Sequence, residues 1–277
     1  MTTHSHTHED PHSPNSSTDV KKQGQKPQKP SKNSKKQKVG QGIIKVPRAC
    51  KKNIEKFFYG LRDNPEKLER YLVDWGLDIK PRSEHGELNR WRFAFCTVHT
   101  PWLRSCEQYQ DIQHSFGNIN KDTLEKKLSL SAGGMFKIKA EGIDNLHNLW
   151  NKTRELFDSD GLSSRAEWRS WRNKLTRKLD KLGMAKTSFA IEMLQPLKAK
   201  VICIDRHMFK AFGWENVDIS STNKQYEYYE DYWLDLSAEY GVPPVISRNL
   251  FWDIVQNEQS SMYWGNYLKD YVYTTRN

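Results

Sequence analysis

The sequence predicts an all-α protein preceded by a disordered basic arm, and three observations carry this prediction. After residue 46, apolar residues recur at the three- and four-residue spacing of helices. Asn64-Pro65 and Thr100-Pro101 are typical of helix starts, where a capping side chain is followed by proline. Strand alternation is almost absent, because only residues 201–204 form a short strand-like run. Four residues do not make a sheet, so no β class is predicted.

The predicted arm covers residues 1–46, which are rich first in His, Ser and Pro and then in Lys, Gln and Pro. Such a segment lacks the large apolar side chains that offset the entropy of ordering. The chain carries a net charge of +10, and residues 1–52 supply +9 of it (12 basic minus 3 acidic), which leaves +1 elsewhere. The basic charge therefore belongs to the arm. It indicates attraction to nucleic acid or, alternatively, a solvated leader that only aids solubility.

The four cysteines exclude several classes of protein. Cys50, Cys96, Cys106 and Cys203 show no CxxC spacing, so we expect no disulfide framework, zinc site or iron–sulfur cluster. Reduced thiols fit an intracellular protein. No apolar run approaches the length of a membrane span, and the N-terminus has no signal-peptide core. We therefore expect no cofactor, no metal and no membrane partner.

The helices follow one another at regular spacing along the chain. Ser163 or Ser164, with Glu167 in the next turn, predicts a capping box at the start of a long helix that ends at Leu182. A loop is predicted at Gly133-Gly134. The other helices are predicted around 54–61, 65–75, 91–98, 102–116, 120–130, 143–157, 222–240, 243–256 and 260–273.

The segment after the long helix predicts a turn that binds phosphate. Gly183 permits a positive φ in a tight turn, and the helix that follows exposes unpaired N–H groups. Those donors and the helix dipole suit an anion, and the basic helix before the turn adds positive charge. The alternative is an ordinary turn between two helices with glycine after the first.

Asp205 is a carboxylate at the end of the apolar run VICID. Burying it is costly unless it is paired or functional. Arg206 or His207 is the candidate partner if the role is structural. Lys186 precedes Asp205 by 19 residues (205 − 186), so two crossing segments can return Asp205 to the start of the Lys186 helix. A lysine beside a carboxylate at a DNA-binding turn suits nucleophilic chemistry at a sugar carbon.

These residues carry a resemblance to the helix-hairpin-helix DNA glycosylase superfamily, in its endonuclease III-like group. The hairpin of that family is matched by LGMAKTSFA, and its aspartate motif is matched by ICIDRHM. Upstream, its buried helix and turn resemble FAFCTVHTPWLRSCEQY. Its archaeal 8-oxoguanine glycosylase branch has C-terminal helices similar to YWLDLSAEYGVPPVISRNLFWDIVQNE. The resemblance covers roughly residues 85–256.

The resemblance implies a fold and an activity. Two helical subdomains over residues 47–277 would place the hairpin and catalytic segment, residues 175–213, at a cleft. The protein would remove a damaged or modified base from a flipped nucleotide. Asp205 would stabilise the oxocarbenium-like transition state, and Lys186 would attack C1′ and permit strand cleavage. DNA contacts are implied for Gly183, Met184, Ala185, Thr187, Arg177, Lys178 and His99.

The hairpin departs from the family pattern in a way that leaves the nucleophile open. If Gly183 and Ala185 match the two family glycines, Thr187 takes the lysine position and water is the nucleophile. If Lys186 matches the family lysine, the turn is one residue shorter and the enzyme is a lyase; we favour this alignment. His99 stands where the family often has a wedging glutamine.

The base pocket is predicted to include Trp102 and His207. The expected partner is double-stranded DNA with a damaged or modified base, bound by a DNA-associated monomer. Two alternatives stay open at this point: a non-catalytic helix-hairpin-helix DNA-binding protein, and a DNA base-hypermodification enzyme on the same fold. The sequence does not identify the base.

Overall fold

A computed structural model describes residues 43–113, 119–131, 134–213 and 223–269, which form helices and connecting segments without a β-strand. The helices are α1 (Arg48–Asp63), α2 (Pro65–Val73), α3 (Glu84–Cys96), α4 (Trp102–Gln113), α5 (Lys121–Leu130), α6 (Phe136–Lys152), α7 (Arg165–Lys178), α8 (Met184–Leu194), α9 (Arg206–Ala211), α10 (Asn223–Glu239), α11 (Pro244–Val255) and α12 (Met262–Gly265). A π-helical turn, Asp74–Ile79, and two 3₁₀ turns, Arg154–Phe157 and Asn266–Leu268, complete them. The predicted all-α class is confirmed.

The helices form two groups, as predicted. In the first, α3 packs against α4, α6 and α8, while α5 packs against α4 and α6 and α7 packs against α8. In the second, α10 packs against α1 and α11, and α2 packs against α1 and α11. The π-helical turn after α2 and the segment around α12 join the groups by packing against α8 and α4.

Aromatic side chains fill the junction between the groups. The ring of Phe93 on α3 stacks on Trp264 of α12, with centroids 5.8 Å apart and planes 3° apart. Trp264 also meets Trp75 of the π-helical turn edge to face, at 5.5 Å. These large buried rings supply much of the apolar area that holds the two groups together.

The α3–α6 contact requires a glycine. A Cβ at Gly142 on α6 would lie 2.4 Å from the ring of Phe95 on α3. The missing side chain lets the two helices approach closely, and α6 then reaches the connection between α7 and α8 through Asn145, whose Oδ1 accepts from the Asp180 N–H at 3.1 Å. The position of α6 therefore bears on the hairpin that the sequence singled out.

The described chain begins before the predicted start of the folded part at residue 47. Gln225 exchanges two hydrogen bonds of 2.8 Å with the backbone of Ile44, and Val46 is buried. Residues 1–42 of the predicted arm lie outside the described residues. Gly133 of the predicted loop and residues 270–273 of the last predicted helix also lie outside them.

Two predicted helix ends are corrected by the structure. The capping box of Ser164 and Glu167 is present, but α7 ends at Lys178 and not at Leu182. The last predicted helix contains only the short α12 and a 3₁₀ turn within the described residues. Among the described helices, none has the length and apolar character needed to cross a membrane.

Candidate active site

A cleft of about 1110 Å³ opens where the two helical groups meet the α7–α8 connection. Its walls come from the α3–α4 turn, the end of α7, the start of α8, and the residues around the start of α9. The start of α10 and the end of α11 form the remaining sides, through Asn223, Tyr226, Trp252 and Gln256. The predicted hairpin and the predicted Asp205 segment thus face the same space.

The hairpin between α7 and α8 turns at Lys181 and not at Gly183. Lys181 has φ of 65°, whereas Gly183 is extended, with φ of −75° and ψ of 170°. The ammonium of Lys181 pairs with Asp180 at 2.9 Å and Glu141 at 3.7 Å, which offsets the strain of a left-handed lysine. The prediction that Gly183 supplies a positive φ is therefore wrong.

The N-terminus of α8 opens into the cleft. Its first backbone hydrogen bond runs from the Thr187 N–H to the Gly183 carbonyl oxygen, at 2.9 Å. Met184, Ala185 and Lys186 precede that bond, so their N–H groups have no acceptor within the helix. Gly183 has no side-chain cap to offer them. These donors and the helix dipole form a site suited to an anion.

Lys186 lies in the first turn of α8 and is half-buried. Its ammonium lies 5.6 Å from the centroid of the Phe189 ring, an apolar neighbour that orients the chain without neutralising the charge. Lys186 lines the cleft and also an inner recess of about 10 Å³, room for roughly one water molecule. Asp205 lines both spaces as well.

The carboxylate of Asp205 caps α9 and is held through both oxygens. Oδ1 accepts from the N–H groups of His207 at 3.0 Å and Met208 at 3.1 Å. Oδ2 accepts from the indole N–H of Trp252 at 3.0 Å. These bonds hold the carboxylate in a single orientation at the cleft edge. The structure thus gives Asp205 partners other than the guanidinium of Arg206.

Residues 201–205 form an extended strap that carries Asp205 without pairing to another strand in the described chain. Its N–H groups donate to side chains instead. Ile202 donates to Glu230 at 3.0 Å, Cys203 to Glu192 at 2.8 Å, and Ile204 to the Tyr226 hydroxyl at 2.9 Å. The short strand considered at 201–204 is therefore an extended strap whose backbone is satisfied by buried side chains.

Two buried ion pairs stand behind the strap. Arg248 of α11 donates to both oxygens of Glu192, through Nε at 3.0 Å and through Nη2. Arg172 of α7 donates to Glu230 of α10 at 2.6 Å. Burial raises the pKa of both glutamates, and the paired arginines oppose that shift. Each carboxylate thus serves an arginine and a strap N–H at once.

The basic residues near the start of α7 do not face the cleft. Arg165 pairs with Asp235 at 2.6 Å, and Arg169 pairs with Asp231 at 2.6 Å and with Glu230 at 2.9 Å. They join α7 to α10. The prediction that the basic helix as a whole adds charge to the phosphate site holds only for its C-terminal end, where Arg177 lines the cleft.

Aromatic rings form the wall beside Asp205. Trp252 lies 5.2 Å from Trp102, ring centroid to centroid, and 5.8 Å from His207. The amide of Gln256 hydrogen-bonds to Nδ1 of His207 at 2.9 Å. Trp102 also packs edge to face on Phe189 at 5.8 Å. The wall is apolar in its body and presents the indole N–H of Trp252 to the carboxylate.

Comparison with solved structures identifies proteins with a similar architecture. A Methanocaldococcus jannaschii 8-oxoguanine glycosylase/lyase, in complex with 15mer DNA containing 8-oxoguanine, matches with a TM-score of 0.62 and 15% identity. The match covers 74% of this chain and 98% of that one. The Thermotoga maritima 8-oxoguanine DNA glycosylase matches with a TM-score of 0.59 and 15% identity, over 76% of this chain and 99% of that one.

The fold is that of the 8-oxoguanine DNA glycosylases. No protein-family profile matches the chain, and no curated protein does. The likeness is therefore structural, and it confirms the fold that the sequence resemblance implied.

Within this glycosylase fold, most of the predicted site residues come together. The cleft is lined by Lys186, Asp205, Gly183, Met184, Ala185, Arg177, His99, Trp102 and His207. Two predicted DNA contacts are not among its lining residues. Thr187 is fully buried and its hydroxyl donates to the Gly183 carbonyl at 3.1 Å, while Lys178 is exposed outside the cleft lining. A DNA contact through the Thr187 side chain finds no support in this arrangement.

Several residues of the candidate site were not predicted from the sequence. Trp252 holds Asp205, and Glu192 and Glu230 hold the strap. Glu192 had the same signal as Asp205, a carboxylate inside an apolar run, FAIEML. Glu230 and Trp252 lie in aromatic-rich helices whose pattern indicates packing alone, so no sequence signal distinguished them.

Proposed function

We propose that this protein is a DNA glycosylase with AP-lyase activity. The observation that carries the proposal is that Lys186 and Asp205 line one cleft, beside the uncapped N-terminus of α8. A helix N-terminus binds a DNA phosphate, and the two side chains then lie at the nucleotide next to it. The likeness to two 8-oxoguanine glycosylase structures supports the same conclusion at the level of the fold.

Lys186 is the proposed nucleophile. Its unprotonated amine forms a bond to C1′ of the sugar while the glycosidic bond breaks and the base leaves with the bonding electrons. Loss of a proton from nitrogen and ring opening give a Schiff base at C1′. That imine acidifies the C2′ hydrogen, so elimination of the 3′ phosphate cleaves the strand. The position of Lys186 in both the cleft and the inner recess supports this role.

Asp205 is proposed to stabilise positive charge on the sugar as the base departs. A carboxylate that is fixed in advance costs no reorganisation during the reaction. The three hydrogen bonds from His207, Met208 and Trp252 provide that fixed position.

The target nucleotide must leave the helix before either group can reach C1′. The cleft, at about 1110 Å³, has room for a nucleotide, whereas the inner recess of about 10 Å³ does not. We therefore place the flipped base in the cleft, against the aromatic wall of Trp102 and Trp252. The first substrate we propose is 8-oxoguanine, the base that the structurally similar enzymes are named for.

The rival alignment, with Thr187 in the nucleophile position and water as the nucleophile, is disfavoured by burial. The Thr187 hydroxyl is bonded to the Gly183 carbonyl and has no exposed surface. Lys186 is half-buried and reaches the cleft. This contrast supports the lysine as the nucleophile.

The test is an excision screen with oligonucleotides that carry different damaged bases, each analysed with and without alkali. We expect release of 8-oxoguanine, and strand cleavage without alkali. Borohydride should trap a covalent adduct between the protein and DNA, and Lys186→Gln should abolish it. Asp205→Asn should keep DNA affinity and slow base release by about 100-fold or more.

The control is Lys178→Gln, which removes a lysine near the hairpin that does not line the cleft. It should leave base release and trapping unchanged. Normal excision by Asp205→Asn, or DNA binding without excision of any base, would refute the proposal and favour a non-catalytic DNA-binding protein. Base release without a borohydride adduct would refute the lyase part alone.

A further inference from the structure

Lys139 on α6 is a buried lysine whose ammonium serves three acceptors from the α3–α4 region. Its side chain is 1% exposed. Nζ donates to the Cys96 carbonyl oxygen at 2.7 Å, to Gln108 Oε1 at 2.6 Å, and to the Thr100 hydroxyl. All three acceptors are neutral, so burial of this charge is costly in comparison with an apolar side chain of the same length. What the lysine supplies is a link between α6, the end of α3, the turn and α4.

The turn that Lys139 holds forms one wall of the cleft. Thr97, Val98, His99 and Thr100 line the cleft, and His99 stands exposed at the tip. His99 has φ of 48°, an unfavourable conformation for a residue with a side chain, which persists only where the surroundings hold it. The bonds of Lys139 to Cys96 and Thr100 lie on either side of this tip and supply such a restraint.

We propose that Lys139 is a positioning residue, which fixes the 97–101 turn so that His99 is presented to the DNA that occupies the cleft. The inference rests on the proposed function, because it assigns His99 to the gap that the flipped nucleotide leaves. A restrained tip inserts at little entropic cost, whereas a mobile tip must be ordered each time it inserts. Lys139 itself touches no reacting atom.

The protonation of Lys139 bears on the strength of this link. The pKa of Lys139 is lowered to about 8, mainly by burial; Cys96 on α3 opposes this shift and Lys186 on α8 contributes to it. Below that pH the ammonium offers three N–H donors to its three acceptors. Above it the amine offers two, so one of the three bonds is lost.

The test compares variants that cut the link on different sides. Lys139→Met removes all three bonds of the ammonium and leaves the bond from the Thr100 hydroxyl to the Val98 carbonyl oxygen in place. Thr100→Val removes that bond together with the bond from Lys139 to the turn. Gln108→Met is the control, because it cuts the bond of Lys139 to α4, together with the bond from Gln108 to the Leu128 carbonyl oxygen, and leaves the bonds to Cys96 and Thr100. Thermal unfolding of each variant identifies a temperature at which all are folded.

The first readout is the fluorescence of 2-aminopurine placed beside the target base, which reports unstacking as the base flips. We expect Lys139→Met and Thr100→Val to lower the flipping constant by roughly tenfold, with Gln108→Met close to native. Native flipping in folded Thr100→Val and Lys139→Met would overturn the proposal. Equal losses in all three variants, in proportion to their stability, would also overturn it.

The second readout is independent of the proposed function. Backbone ¹⁵N order parameters of residues 97–100 in the free protein should fall in Lys139→Met and Thr100→Val and stay native in Gln108→Met. Unchanged order parameters would overturn the proposal even if the protein releases no base. If the native protein excises no base while the order parameters of the variants change as expected, that result would refute the proposed function alone and leave the positioning role of Lys139 supported.

Discussion

Gly183 leaves room for a ligand at the N-terminus of α8, and it does not supply the left-handed residue of the hairpin turn. Its backbone is extended, and a Cβ built on it would meet no atom within 4 Å. The left-handed position belongs to Lys181. The glycine therefore leaves free space directly before the exposed N–H groups, at the place where a phosphate would lie.

Gly183→Ala should separate binding from stability. Because no atom of the protein clashes with the new methyl group, the free energy of unfolding in urea should change by less than about 0.5 kcal/mol. The methyl group would obstruct the phosphate, so the affinity for duplex DNA should fall roughly tenfold, the equivalent of one weakened charge-assisted hydrogen bond. Native affinity, measured by fluorescence anisotropy, would contradict the assigned phosphate position.

Single site residues could be predicted from the sequence where a charged side chain stands at the edge of an apolar segment. Asp205 and Lys186 were found because a carboxylate and a lysine stood at the edges of apolar segments. Glu192 was equally out of place, but its role needs a strap that passes beside it, a relation between residues of two elements. The positive φ was predicted at Gly183 because glycine favours it, whereas the chain adopts it at Lys181, two residues earlier.

At the scale of elements, the strap of residues 201–205 depends on helices that are distant in sequence. Glu192 comes from α8, and Tyr226 and Glu230 come from α10. Each carboxylate is paired with a buried arginine, and Glu230 also pairs with Arg169. Loss of the Glu192 charge would leave the guanidinium of Arg248 without its carboxylate.

Glu192→Gln tests this arrangement, because the amide oxygen still accepts from the Cys203 N–H while the charge that Arg248 needs is gone. An uncompensated buried guanidinium should cost about 3–5 kcal/mol of unfolding free energy, measured by urea denaturation. Glu167→Gln is the control, an exposed carboxylate in the first turn of α7, and its cost should be clearly smaller than that of Glu192→Gln. A loss below about 1 kcal/mol for Glu192→Gln would show that the pair is dispensable.

Most helices followed from apolar periodicity and capping signals, while the connecting elements did not. The capping box at Ser164 marks the start of α7 correctly, because both of its partners are local in sequence. The end of that helix was misjudged, because Asn145 of α6 takes up the Asp180 N–H and ends the helical path early. The π-helical turn Asp74–Ile79 carries no local signal that distinguishes it from an α-helix.

At the scale of the whole molecule, most of the excess positive charge lies N-terminal to the described helices. Residues 1–42 contain eight lysines and three acidic residues, a net charge of +5 (8 − 3), while much of the basic face of α7 is neutralised by α10. If the proposed function is right, long-range attraction to DNA therefore depends on the N-terminal sequence more than on the helical part. Ile44 marks where the described contacts of the helical part begin.

Removal of residues 1–42 should weaken DNA binding without changing chemistry. The slope of log K against log salt should fall by about 0.9 for each lysine that contacts a phosphate. Excision at saturating DNA, and thermal unfolding, should stay native because Ile44 is retained. A full-length variant with those eight lysines changed to glutamine is the control and should give the same slope. An unchanged slope would assign the arm another role.

The hydrogen bonds of the strap also predict which backbone amides exchange most slowly with solvent. The amide hydrogens of Ile202, Cys203 and Ile204 are sequestered in bonds to buried side chains, so their replacement by deuterium requires separation of α8 and α10 from the strap. A segment outside any helix should thus exchange as slowly as the core helices. Local fluctuations at the mouth of the cleft would therefore leave the backbone of residues 202–204 in place.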